Sequence, residues 1–175
     1  MNPILKVHDL SIGFYTPHGL ITAVDKISFS VMEEETIGIV GESGSGKSVT
    51  ALAIMQLLAA PPAKYLSGEI LFENKDLLKC NKKEIRTIRG SKISMIFQEP
   101  MTSLNPVIKV GEQIAEAFRI HLHMQHKEAL EKAVDMLELV GVSDPDKRIY
   151  EYPHQMSGGM RQRIMIAIAL ACNPR

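Results

Sequence analysis

The run Gly41-Glu42-Ser43-Gly44-Ser45-Gly46-Lys47-Ser48 fits G-x-x-x-x-G-K-[ST], the spacing of a phosphate-binding P-loop. Each residue type in it has a task. Glycines let the backbone curl so that successive N–H groups face one concavity. A helix beginning there adds the positive end of its dipole. Lys47 supplies a mobile cation for β- and γ-phosphates, and Ser48 a hydroxyl for Mg²⁺. The chemistry implied is nucleotide binding, without the identity of the nucleotide or its use.

Such a loop works only between a strand and a helix. Thr36-Ile37-Gly38-Ile39-Val40 is an apolar run ending at Gly41, which predicts a buried parallel strand. Val49 to Leu58 contains neither Gly nor Pro, and Pro61-Pro62 follows, which predicts a helix with a firm stop. An ordinary Gly-rich turn would need neither flank.

A second candidate anion site is Ser157-Gly158-Gly159, ahead of the apolar run Ile164 to Cys172. Two glycines would leave backbone N–H groups exposed at a helix N-terminus, and the Ser157 hydroxyl could add a hydrogen bond. By itself a Ser-Gly-Gly is more often a plain turn and helix cap. The helix behind it is apolar nearly all round and should be buried.

The rest of the chain supplies scaffolding. Leu5 to Phe14 and Thr22 to Met32 read as antiparallel strands, with Thr16-Pro17-His18-Gly19 as the turn between them. Gly68 to Phe72 is a further strand and Lys82 to Ile88 a short helix. Ile93 to Phe97 is a second buried-strand candidate, ending at Gln98. Glu99 to Pro106 is loop-forming and predicts a subdomain hinge. Val110 to His123 and Lys127 to Val140 read as helices. The second carries the stripe Leu130, Ala133, Val134, Leu137, an i, i+4 pair Glu128–Lys132, and Gly141 as its stop.

Composition narrows the classes. At 175 residues the length suits about one domain. Lys+Arg and Asp+Glu are 20 each, so no overall field draws the chain to nucleic acid or anionic lipid. Two cysteines, Cys80 and Cys172, in unrelated settings argue against a disulfide or zinc framework and fit a reducing cytosol. Met1 to Lys6 has no signal-peptide hydrophobic region, and no run approaches the roughly 18 apolar residues of a membrane span. His121, His123 and His126 suggest a metal at a glance, but on a helix they point to different faces, so solvated helix-end polarity is the better reading. Arg161 and Arg163 fit a partner contact or solvent-facing charge equally well.

With both glycine motifs in hand, the chain resembles the ATP-binding subunits of ABC transporters. Met156-Ser157-Gly158-Gly159-Met160-Arg161-Gln162-Arg163 is similar to their signature motif, commonly Leu-Ser-Gly-Gly-Gln, with Met at its first and fifth positions. Phe97-Gln98-Glu99-Pro100 resembles their Q-loop. Ile39 to Ser48, Met95 to Pro106 and Tyr152 to Arg163 are similar to the oligopeptide/dipeptide importer branch, which also includes nickel importers.

The resemblance implies an α/β fold: a P-loop NTPase core with an antiparallel β subdomain and a helical subdomain, the C-terminal part of the core missing. It implies a core and β subdomain over 1–98, a helical subdomain over 99–155, and the signature with its helix over 156–175. ATP and Mg²⁺ would be the cofactors, with Gln98 in a catalytic role and, with Ser48, at the metal. An aromatic ring, Phe14 or Tyr15, would stack on adenine.

Implied partners are a second ATP-binding subunit, identical or not, and two integral membrane permease subunits. A solute-binding protein would be an indirect partner, and nucleic acid none. The location would be the cytoplasmic membrane face, peripherally. In the family a Walker B strand with an Mg²⁺-linked Asp and a catalytic Glu follows the signature helix. Asp144 and Asp146 sit in a Pro-containing loop and do not substitute. The expectation is a truncated chain whose 175 residues alone hydrolyse ATP negligibly. Rival readings are a soluble ABC-type ATPase acting on nucleic acid or ribosomes, and a non-catalytic nucleotide-binding fragment.

Overall fold

A computed structural model describes residues 3–98 and 103–175. The chain forms two compact units, Met1–Ile85 and Arg86–Arg175.

The first unit is built on an antiparallel sheet of β1 (Leu5–Thr16), β2 (Gly19–Val31), β3 (Ala63–Phe72) and β4 (Lys75–Asp76), in the order β2-β1-β3-β4. The turn expected at Thr16–Gly19 closes the β1–β2 hairpin, with the Thr16 hydroxyl donating to the Gly19 carbonyl at 2.8 Å. Register pairs such as Val7↔Phe29 and Val7↔Ile70 align the apolar positions across three strands. Strict alternation along β1 would send Val7 and Leu10 to opposite faces. A bulge at Asp9, whose φ is 45°, resets the phase, so Val7, Leu10 and Ile12 are all buried.

Helix α1 (Lys47–Ile54) follows the glycine loop. It is shorter than the expected run to Leu58. The chain turns out of it at Gln56, which is left-handed (φ 50°) and whose side-chain amide donates to the Leu77 carbonyl. Helix α2 (Lys82–Ile88) is where the sequence predicts it.

Neither predicted buried strand forms as one. Residues 36–40 are in no ladder, and residues 93–97 contribute only the single bridge Arg89↔Ile93. A strand exists only where a neighbour takes up its N–H and C=O groups, and among the described residues neither run has one. Their apolar side chains are correspondingly open, with Val40 92% and Ile96 50% exposed.

The second unit is helical: α3 (Val110–His121), α4 (His126–Leu139), the one-turn α5 (Pro145–Arg148) and α6 (Gly158–Leu170). Its core joins Val110, Ile114 and Phe118 of α3, Ala129, Ala133 and Leu137 of α4, and Ile164 and Ala167 of α6. Leu130 and Val134 of the predicted stripe sit at its margin, and Ala129 takes the deeper place. Small residues at facing positions let the helices approach closely, and α6 buries Ile164, Met165, Ala167 and Ala169 while Leu170 stays exposed. Lys132 bonds Asp135 at 2.9 Å, with Glu128 of the expected pair acting on it as a weaker charge, and these exposed partners carry little energetic weight. His126 Nε2 reaches Glu112 Oε1 at 3.0 Å and so ties α4 to α3. The expected hinge falls partly on residues 99–102, outside the described residues.

Candidate functional site

The glycine loop enters α1 through Gly46, which is left-handed (φ 89°) and buried. A Cβ there would lie 2.7 Å from the Ala23 carbonyl oxygen of β2 and 3.1 Å from Val24 Cγ2. The antiparallel sheet therefore seats the loop, and only glycine fits the seat. Sequence reading missed this dependence, because the motif gives no sign that β2 lies beneath it. Thr50, buried one turn on, returns both its N–H (2.8 Å) and its hydroxyl (3.0 Å) to the Gly46 carbonyl, fixing the start of the helix.

Gly46 offers no side-chain cap, so the N–H groups of the first turn have no acceptor of the usual kind. Lys47 bends back over the loop. Its Nζ donates to the carbonyls of Gly41 (2.8 Å) and Glu42 (2.7 Å) and lies 3.3 Å from Ser45 Oγ. Ser43, Gly44 and Ser48 are exposed beside it. A cavity of about 510 Å³ opens alongside, lined by Gly46, Lys47, Val24, Ile27, Phe29 and Ile39 among others. A cation over uncapped backbone donors at a helix start is suited to an anion of phosphate type. ATP and Mg²⁺ fit this donor set: a Cβ-free cradle, a movable ammonium and an exposed hydroxyl at Ser48.

The other expected site residues are distributed as follows. Tyr15 is 53% exposed and Phe14 half-buried, and neither lines that cavity. Lys64 Nζ lies 3.2 Å from the Tyr15 hydroxyl and 5.7 Å from its ring centroid. Gln98 is exposed, the last described residue before 99–102.

Ser157 is the N-cap of α6, and its Oγ accepts from the Met160 N–H at 3.3 Å. Gly158 and Gly159 are exposed, and a Cβ on either would meet nothing within 4 Å. Arg161 is half-buried and Arg163 exposed, and both make bonds that neither sequence reading contains. Their guanidinium groups lie on backbone carbonyls of Pro153 and of Val140 and Gly141. His121 abuts Gly90, and burial, then Arg86, then His123, lower its pKa below the ordinary 6.5. Among the described residues no three His, Cys, Asp or Glu side chains are grouped to hold a metal.

This architecture is that of an ATP-binding cassette. A solved dimeric cassette in a post-hydrolysis state bound to ADP and Pi matches with a TM-score of 0.85 at 27% identity, over 97% of this chain and 70% of that one. A family model described as ABC transporter matches residues 24–175, and the chain belongs to that family. It is 53% identical over 171 residues to a probable peptide ABC transporter ATP-binding protein of Sinorhizobium fredii, covering 98% of this chain and 51% of the relative. It is 52% identical to the oligopeptide transport ATP-binding protein OppD of Bacillus subtilis (98% and 48% covered) and 52% to the dipeptide transport ATP-binding protein DppD of the same organism (99% and 52%). The chain thus spans about half the length of these curated relatives.

Proposed function

We propose that this chain is the nucleotide-binding part of an ABC importer subunit that couples ATP binding and hydrolysis to uptake of peptides or a related solute. The observation that carries the reading is identity above half, end to end, with proteins described as peptide, oligopeptide and dipeptide transport ATP-binding proteins. The geometry of Gly46, Lys47 and the uncapped α1 start supports it.

In this reading Gly41 to Ser48 wrap the phosphates, and Lys47 exchanges the Gly41 and Glu42 carbonyls for phosphate oxygens. Ser48 and Gln98 would hold Mg²⁺, which when bound neutralises charge between the β- and γ-phosphates. Tyr15 or Phe14 supports the base. Ser157, Gly158 and Gly159 serve the nucleotide of a second ATP-binding subunit, identical or not, so each nucleotide lies between the loop of one subunit and the α6 start of the other. The match to a dimeric cassette supports this pairing.

Two permease subunits would carry the membrane spans, since no helix among the described residues is long and apolar enough to cross a membrane. A solute-binding protein would deliver the solute, and the subunit would sit peripherally on the cytoplasmic face. Residues 1–175 as a separate polypeptide would turn over ATP negligibly. Asp144 and Asp146 lie at the start of a four-residue helix.

The test is uptake. Cells carrying Lys47→Ala at the native locus should lose uptake of labelled di- and oligopeptides, and the native chain should co-purify with two membrane proteins. Unchanged uptake of every peptide tried would sink the solute class.

A further inference from the structure

The N–H groups at the start of α6 can serve a partner's nucleotide only if the helix is held at one rotation about its axis. The contacts that hold it are in its first two turns. Arg161 Nε donates to the Pro153 carbonyl at 2.7 Å. Pro153 is buried in the 3-10 turn (Pro153–Gln155) that leads into Ser157. Arg163 Nη1 donates to the Val140 carbonyl at 2.6 Å and lies 3.4 Å from the Gly141 carbonyl. Val140 is the C-cap of α4, so this guanidinium sits on carbonyls at the negative end of that helix, where a cation is stabilised.

The spacing matters as much as the bonds. At about 100° per residue, Arg161 and Arg163 leave α6 roughly 200° apart. One ties the helix to the turn before it, the other to the end of α4 on the far side. Two tethers on opposed sides oppose rotation in either sense, and they add to the packed contact made by Ile164, Met165 and Ala167. Gly141 belongs to the same arrangement, since a Cβ there would come within 2.7 Å of Arg163 Nη1.

We propose that Arg161 and Arg163 are positioning residues. They fix the rotation of α6 and so aim Ser157, Gly158 and Gly159 at the nucleotide held by a second copy, without touching that nucleotide themselves. This rests on the reading of Ser157–Gly159 given above. It accounts for the bond that each guanidinium makes to a main-chain carbonyl of its own subunit.

The experiment uses the subunit at its natural length, assembled with its membrane partners. Arg163→Met should lower kcat about tenfold while the nucleotide KM stays within about twofold, as expected when groups acting in the transition state are misaimed. Nucleotide affinity of the isolated subunit and its thermal midpoint should change little. Arg163→Lys, which keeps a donor for the Val140 carbonyl, should recover most of kcat. A wild-type kcat in Arg163→Met overturns the proposal. So does a loss that matches the fraction of unfolded protein, or one that Lys does not relieve. If Arg163→Met fails to fold, Arg161→Gln takes its place; it must show the same kcat loss at constant KM, and full activity there is equally fatal. Ser157→Arg in parallel separates the two claims. Full turnover in Ser157→Arg removes the underlying reading, whereas its loss alongside an unaffected Arg163→Met removes only the positioning role.

Discussion

Two helices in this chain begin on glycine, and they use it in opposite ways. At α1, Gly46 is buried, left-handed and pressed onto the Ala23 carbonyl, with no side-chain cap. At α6, Gly158 and Gly159 are exposed, free of positive φ and surrounded by open space, and Ser157 supplies a cap. The first glycine is required by its own fold. The second pair is not: glycine in a helix costs about 0.5–1 kcal/mol relative to Ala, and no contact within the unit offsets that. Glycines kept without an internal reason fit a surface that something outside must approach closely. The α1 start is shaped by contacts within its own unit, whereas the α6 start presents its glycines to open space.

The sharpest ways to break this contrast lie at α1. Gly46→Ala would place a Cβ against main chain that cannot move cheaply and force a left-handed Ala, itself about 1–2 kcal/mol. Both unit stability and nucleotide binding should fall, read by thermal unfolding and by titration with a fluorescent ATP analogue. Lys47→Ala leaves the fold in place but removes the ammonium that spans the Gly41 and Glu42 carbonyls. With two charge-assisted bonds at stake, ATP affinity should drop about a hundredfold or more. Unchanged affinity in that variant would end the assignment of the loop.

At α6 the same types of change should have the reverse signature. Ser157→Arg should leave nucleotide affinity of a single subunit within about twofold while ATP-dependent pairing, followed by sedimentation, disappears. Gly158→Ala is gentler. With open space at the Cβ it should stabilise the unit by up to about 1 kcal/mol and still weaken pairing. A variant that is both more stable and equally able to pair would show that these glycines face nothing.

The contrast was half visible in the sequence. The loop motif, its helix and the β hairpin were legible because they rest on local rules: glycine spacing, a turn at Thr16–Gly19, an apolar phase along the strands. The Ser157 cap and buried α6 were legible for the same reason. What escaped depends on contacts far apart in the chain. Residues 36–40 and 93–97 have the composition of buried strands, yet a strand needs a ladder of neighbours, and among the described residues the first has none and the second only the single bridge Arg89↔Ile93. The reliance of Gly46 on Ala23, and the guanidinium bonds from Arg163 to Val140, join residues more than 20 positions apart. No periodicity encodes them. The Asp9 bulge hid in a Leu-Ser-Ile-Gly context that reads as plain alternation.

Acid should separate the two units in a smaller but orderly way. In the first unit, the Lys75 ammonium and the Asn81 N–H hold the Glu84 carboxyl below its ordinary 4.5. A lowered carboxylate contributes stability that is present above the unfolded value and lost as pH falls through the folded one, so this loss comes below about 4.5. In the second unit, burial against Gly90, with Arg86 and His123 nearby, holds His121 below its ordinary 6.5. A lowered histidine follows the same sign: nothing is lost above the unfolded value, and stability declines as pH drops beneath 6.5, because the unfolded chain takes up the proton first. Protection of α3 amides, relative to their intrinsic exchange rate, should therefore fall as the pH drops below 6.5 while the β1–β3 ladder stays protected. His121→Asn should flatten that response in α3 and leave the sheet unaffected. If both units loosen together, the titration does not belong to His121.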